Sequence, residues 1–200
     1  MTVTVYGTRS SGNCHKVKMV LEVTRQPYNW HEIDIMKAET RTPEFLRLNP
    51  NGKVPVGALD EGSVLDESNA ILWYFGEGTP LVPDDRLHRA QMLQWMFFEQ
   101  YTHEPAIAVA RFICAFMKRT DDPRLPDLKA RGGRALNVME QHLTGRQFFV
   151  GQHLSLADLA LFAYTHKAND GGISLERFAA VRAWLERCLA ERGVTEMPTP

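Results

Sequence analysis

The sequence is short of the features that mark several large classes of protein. It carries three cysteines in 200 residues, Cys14, Cys114 and Cys188, with no Cys-x-x-Cys pair. An odd, widely spaced set with no His/Cys grouping at metal-ligand spacing argues against a disulfide framework and against a thiolate zinc site. Histidines number seven without a His-Glu-x-x-His or equivalent spacing, so no metal centre is expected. Charge of one sign is not in excess either: 23 Lys plus Arg stand against 24 Asp plus Glu. A chain this neutral exerts no net pull on nucleic acid or on an anionic membrane surface, and neither partner is expected. No apolar run approaches the roughly 20 residues of a membrane span. The opening MTVTVYG lacks the basic-then-apolar order of an export signal. Repeats and low-complexity segments are absent, and a reduced, cytoplasmic chain is the expectation.

What is present divides into two patterns. Over residues 1–77 two periods alternate. Thr2 to Gly7 reads as a strand, Asn13 to Thr24 as a helix and Tyr28 to Ile35 as a strand. A short helix around Pro43 to Leu48 and the turn NPNG at Asn49 to Gly52 follow. Lys53 to Leu59 is extended, because Pro55 forbids a helix interior. Asp60 to Gly62 turns the chain into a strand at Ser63 to Leu65, and Asp66 is placed to cap a last helix. The order is βαβαββα. Gly76 to Asp85, GEGTPLVPDD, is Gly- and Pro-rich and marks the linker, taken as residues 78–86. Residues 87–200 then read as helix throughout: Leu87 to Arg119, interrupted at Pro105, Leu128 to Leu143, Ser155 to Lys167 and Leu175 to Arg192. The final MPTP is expected to be loosely held.

Three groups of residues carry chemistry in the first part, and each has a purely structural alternative. Ser11 precedes the first helix, where a serine ordinarily caps; Ser10 shares that reading. Val54-Pro55 follows NPNG as a trans proline on an edge strand or, if cis, as a bond turning the Val54 N–H and C=O toward an extended peptide. Glu67 and Ser68 open a helix whose free N–H groups and hydroxyl suit a carboxylate, or merely form an acidic first turn.

In this order, with SGNCHK, NPNGKVP and DESNAI followed by a helical region holding VGQHLSLADLALFAY, the sequence resembles the cytosolic glutathione S-transferases, in particular bacterial, serine-type, theta- or nu-like members. The resemblance covers essentially the whole chain. It implies a thioredoxin-like α/β domain before an all-α domain, glutathione as co-substrate, a small hydrophobic electrophile as second substrate and a homodimer. By the same resemblance Val54 pairs with the tripeptide backbone beside a cis Pro55. Glu67 and Ser68 hold its γ-glutamyl end, and Lys53 and Asn49 lie near its glycyl end. Ser11 steadies the thiolate, and the electrophile lies near Tyr101, His103 and Arg111. A free thiol titrates near 8.5, so lowering it by about two units takes roughly 2.7 kcal/mol. A hydrogen bond to the anion gives about 1.5–3 kcal/mol and a helix N-terminus roughly 0.3–1.

Asn13 competes with Ser11, since Ser11-Gly12-Asn13 imitates the Thr-x-Asn of members similar to disulfide-bond oxidoreductases. Cys14 stands where a redox pair keeps its second cysteine, but Ser11 replaces the first, so a dithiol mechanism lacks its nucleophile. Tyr6 falls one residue from the position of a strand tyrosine and faces the opposite side. A double serine near Lys16-Val17-Lys18 is similar to zeta-type isomerases, and the histidine expected near Thr40 is missing, leaving Lys53 and Arg41 for the glycyl carboxylate. Glutathione-dependent disulfide or peroxide reduction, and a noncatalytic interaction module, are the alternative functions. Ser155 and Asp158 read as a capping box of structural value only.

Overall fold

The computed structural model describes residues 2–200. Four strands form one mixed sheet in the order β2-β1-β3-β4. They are β1 (Val3–Gly7), β2 (Tyr28–Glu32), β3 (Val56–Leu59) and β4 (Val64–Leu65). β1 runs parallel to β2, which needs a helical crossover, and antiparallel to β3. That crossover is α1 (Gly12–Val23); α2 (Pro43–Leu48) and α3 (Ser68–Gly76) complete the βαβαββα order.

Alternation along β1 decides which face is which. Val3 and Val5 are fully buried beneath α1 and α3, whose Val17, Leu21, Ile71 and Leu72 pack in the same core. Tyr6 points the other way and joins a smaller cluster of Ile33, Phe45 and Val56 under α2. A one-residue displacement along a strand has this effect because side chains alternate sides.

The second part is helical: α4 (Arg86–Phe98), α5 (Glu104–Arg111), α6 (Leu125–Leu143), α7 (Leu156–Thr165) and α8 (Ala179–Ala190). α7 is buried along its whole length, as an all-apolar helix must be. It packs on α4, α5 and α8 and reaches across to α1 and α3, so the two parts share one continuous core.

Three expectations change. The interruption expected at Pro105 falls earlier, in a π-helical turn at Glu99–His103; Pro105 itself sits in the first turn of α5, where proline is tolerated, and a second π turn at Phe112–Phe116 carries the chain on. Asp66 does not cap α3; the cap position is Glu67, at φ 61°, with no side-chain capping bond. The C-terminal tail is held as far as Met197, and Pro198 to Pro200 beyond it are exposed. Val194 and Met197 are buried, the latter with 1% of its surface exposed. The Thr195 carbonyl takes a hydrogen bond from His15 Nε2 at 2.7 Å, and the Met197 N–H donates to His166 Nε2 at 3.1 Å. Those bonds lay the tail across α1 and the end of α7.

Candidate functional site

A cavity of about 160 Å³ opens where α1 and α3 begin and the chain enters β3. Asn13, Asn49, Lys53, Val54, Pro55, Glu67 and Ser68 line it, joined by Gln100 and Glu104 from the helical part. Each arrives for a local reason. The NPNG turn is closed by Asn49, whose Oδ1 accepts the Asn51 N–H and whose Nδ2 donates to the Lys53 carbonyl, both at 2.9 Å. Asn49 therefore rims the cavity with its side chain already engaged. The Val54-Pro55 bond is cis. Pairing with β1 begins only at Val56, so the Val54 main chain lies beyond the ladder, beside the cavity. Lys53 is exposed at the rim and makes no ion pair among the described residues.

The left-handed Glu67 turns the chain into α3, and the Ala70 and Ile71 N–H groups close on its carbonyl. A non-glycine residue held at positive φ is uncommon and is found where surrounding structure demands it. Ser68 Oγ donates to Asn13 Oδ1 at 3.1 Å, and Asn13 Nδ2 donates to Glu104 Oε1 at 2.9 Å. One chain of hydrogen bonds thus links the starts of α3, α1 and α5.

Behind that chain lies a buried ion pair. Lys16 and Glu99 are both fully buried, with Nζ 2.8 Å from Oε2. Lys16 also donates to Ser68 Oγ at 3.4 Å, and Asn69 Nδ2 donates to Glu99 at 3.2 Å. Burial first, and the neighbouring Glu104 carboxylate after it, push Glu99 above the ordinary carboxylate range, while Lys16 pulls it back. Such a pair costs desolvation, so its value lies in fixing the groups around it. Tyr164 of α7 accepts the Asn13 N–H at 3.2 Å. Its ring lies so close to Gly12 that any Cβ there would come within 2.5 Å of it, so only glycine lets α1 begin against α7.

Ser11 is the half-buried N-cap residue of α1 and makes no capping bond; it does not line the cavity. Its hydroxyl lies beside the Cys14 thiol. Burial pushes the Cys14 thiol up to about 12, so it stays protonated and inert. Ser10 is buried, its carbonyl accepting from Arg111.

The three residues expected near an electrophile are dispersed. Tyr101 stands 87% exposed, away from the cavity. His103 is fully buried, its Nε2 paired with Thr165 Oγ1 at 2.9 Å, and burial lowers it to about 3. Arg111 is also interior. Helix geometry explains the difference: Tyr101 and His103 are two residues apart and fall on opposite sides, whereas Gln100 and Glu104, four apart, both line the cavity. The signal for that pair was their spacing of four. Lys16 gave none, since a lysine in an amphipathic helix reads as surface.

A cleft of this kind, with extended main chain on one side, two helix starts on another and both a lysine and carboxylates at its rim, suits an extended zwitterionic peptide. The sheet order, the helical second part and this cleft together define a glutathione S-transferase fold. The N-terminal domain description of that family matches residues 10–77 and the C-terminal one residues 100–191. The chain belongs to the glutathione S-transferase family. It is 45% identical to a glutathione S-transferase from Pseudomonas fluorescens, covering 98% of both chains at a TM-score of 0.94. A glutathione transferase from Pseudomonas putida, with glutathione disulfide bound in its crystal structure, is 26% identical, covering 96% of this chain and 88% of that one at a TM-score of 0.86. The disulfide-bond oxidoreductase YfcG of Escherichia coli is 29% identical over 182 residues, 88% of this chain and 85% of that protein. No helix among the described residues is long and apolar enough to cross a membrane, and no metal-binding group of His, Cys, Asp and Glu occurs among them.

Proposed function

We propose that the chain is a glutathione transferase that binds glutathione in the 160 Å³ cavity and presents its thiolate to small hydrophobic electrophiles. The observation that carries this reading is the convergence of Lys53, Val54, Pro55, Glu67 and Ser68 with Asn13 around one cleft. The Val54 main chain pairs with the cysteinyl backbone, and the α3 start takes the γ-glutamyl carboxylate. Lys53 supplies the charge for the glycyl end. The sulfur then lies at the start of α1, where the Ser11 hydroxyl and the helix N-terminus stabilise the anion and Asn13 holds the donors in place. No general base is required, because the thiol proton passes to solvent.

Calorimetric titration with glutathione tests the binding, and absence of heat from the folded chain would overturn it. Turnover of chlorodinitrobenzene, compared with that of a mixed glutathione disulfide, tests the reaction. The likeness to a disulfide-bond oxidoreductase favours a second reading, reduction of disulfides by bound glutathione. Burial of Cys14 leaves glutathione itself as the reductant in that case. We place the protein in the cytoplasm, where its unpaired cysteines stay reduced. A homodimer would cover the exposed Val64, Tyr74, Phe97 and Tyr101.

A further inference from the structure

Arg111 ends α5, in the helical part, yet its guanidinium is spent on the loop that precedes α1. It is 2% exposed. Nη1 donates to the Ser10 carbonyl at 2.8 Å and Nε to Asp170 Oδ2 at 3.1 Å, while the Phe116 ring lies 5.4 Å from Cζ. Asp170 is held there by its neighbour. A Cβ on Gly171 would stand 2.8 Å from the Arg111 backbone nitrogen, so only glycine lets the turn Ala168–Gly171 close on α5. The Ser10 carbonyl belongs to the peptide whose N–H, that of Ser11, donates to the Thr8 carbonyl at 2.9 Å. That peptide plane is gripped at both ends, by Thr8 from within the loop and by Arg111 from across the molecule.

We infer that Arg111 is a positioning residue: by fixing the Ser10-Ser11 peptide it aims the Ser11 hydroxyl, and its charge adds to the positive end of α1. This rests on the reading of Ser11 as the thiolate donor. Two side-chain bonds from one planar fork suit arginine, whose Nε and Nη1 are held in fixed geometry toward two separate acceptors, where lysine offers a single nitrogen. The titratable or charged groups facing this region include Arg9 on the same loop, paired with Glu32, Lys167 beside His166, and His15, whose ring lies 5.7 Å from that of His166. Asp170 pairs with Arg111, and His166 at the end of α7 is held neutral by burial down to about 4. Cys14 and Glu32 lie on the Ser11 side.

The test compares Arg111→Met, Arg111→Lys and Ser11→Ala in the full-length protein. The readouts are the ultraviolet absorbance of bound glutathione thiolate against pH, kcat/KM for chlorodinitrobenzene against pH, and Tm. Arg111→Met is expected to raise the thiolate midpoint by about one pH unit, and so lower kcat/KM about tenfold below that midpoint, with glutathione affinity changed less than about twofold. Arg111→Lys is expected to recover part of the shift, and serves alone should the methionine variant not fold. A midpoint unmoved in both arginine variants while Ser11→Ala moves it overturns the inference and leaves the Ser11 reading standing. A midpoint unmoved by Ser11→Ala overturns that reading, and with it this one.

Discussion

The three helices that meet at the centre of the molecule begin in contrasting ways. At α7, Ser155 and Asp158 form a capping box. The Asp158 carboxylate accepts from the Ser155 N–H at 2.9 Å, the Ser155 hydroxyl at 2.7 Å, the Phe149 N–H at 3.0 Å and Trp184 Nε1 at 2.9 Å. Every polar group there is committed to the fold. At α1 and α3 the cap residues Ser11 and Glu67 make no side-chain capping bond. Those starts adjoin the cavity, while α7 begins far inside the core. A sequence whose local rules are obeyed at one helix start and broken at two others identifies the latter as the place where something else was selected.

Removing Asp158 should expose that contrast most sharply. Asp158→Ala leaves the Phe149 N–H, the Trp184 indole N–H and the Ser155 N–H buried without acceptors. Each such orphan costs about 1–3 kcal/mol. Stability measured in denaturant is expected to fall by several kcal/mol; a loss below about 1 kcal/mol would mean the hub is dispensable. Acid attacks the other end of α7. His166, at its C-cap, and His15 are lowered by burial to about 4, and His103, against Thr165, to about 3. The unfolded chain titrates these rings near 6.5. It therefore binds more protons than the fold below that pH, so stability present above 6.5 is lost as pH falls toward 4. A Tm that stays flat between pH 7 and 4 would show that the rings titrate freely. The third change lies at the uncapped start. Ser11→Ala is expected to lower turnover at neutral pH by about 10- to 100-fold, the value of one hydrogen bond to an anion, and to raise the apparent pKa of the bound thiol. Unchanged pH-rate behaviour would transfer the role to Asn13 or Ser10.

Periodicity made most of the architecture legible, because strands and helices each present a repeating apolar face: α2 was expected from Pro43 to Leu48 and occupies those residues. The cleft was legible in part. Asn13, Lys53, Val54, Pro55, Glu67 and Ser68 were each locally ambiguous and became informative only as an ordered set. What stayed hidden was long-range. Nothing in SGNCHKVKM marks Lys16 as buried, since its burial follows from the approach of Glu99, 83 residues later. Tyr101, His103 and Arg111 were chosen from an aromatic-rich run, but their spacing turns Tyr101 to solvent and His103 and Arg111 into the interior. The buried tail was missed because Met197 packs against elements distant in sequence.

The smallest change completes the contrast. Ser155→Ala removes a hydroxyl that donates to Asp158 Oδ2, while the Ser155 N–H continues to donate to the same oxygen. The loss is therefore confined to one bond of a network, about 1 kcal/mol of stability. Because no α7 residue lines the cavity, and Tyr164, nine residues further on, meets it only by accepting the Asn13 N–H, kcat/KM and glutathione affinity should stay at their original values. Ser11→Ala, which deletes the same atom from the same kind of position, should do the reverse: no capping bond is lost, so Tm holds while turnover falls. Measuring Tm and kcat/KM for both variants side by side decides the matter. If the two serines prove alike in either quantity, the start of α1 is an ordinary helix cap and the sulfur is stabilised elsewhere.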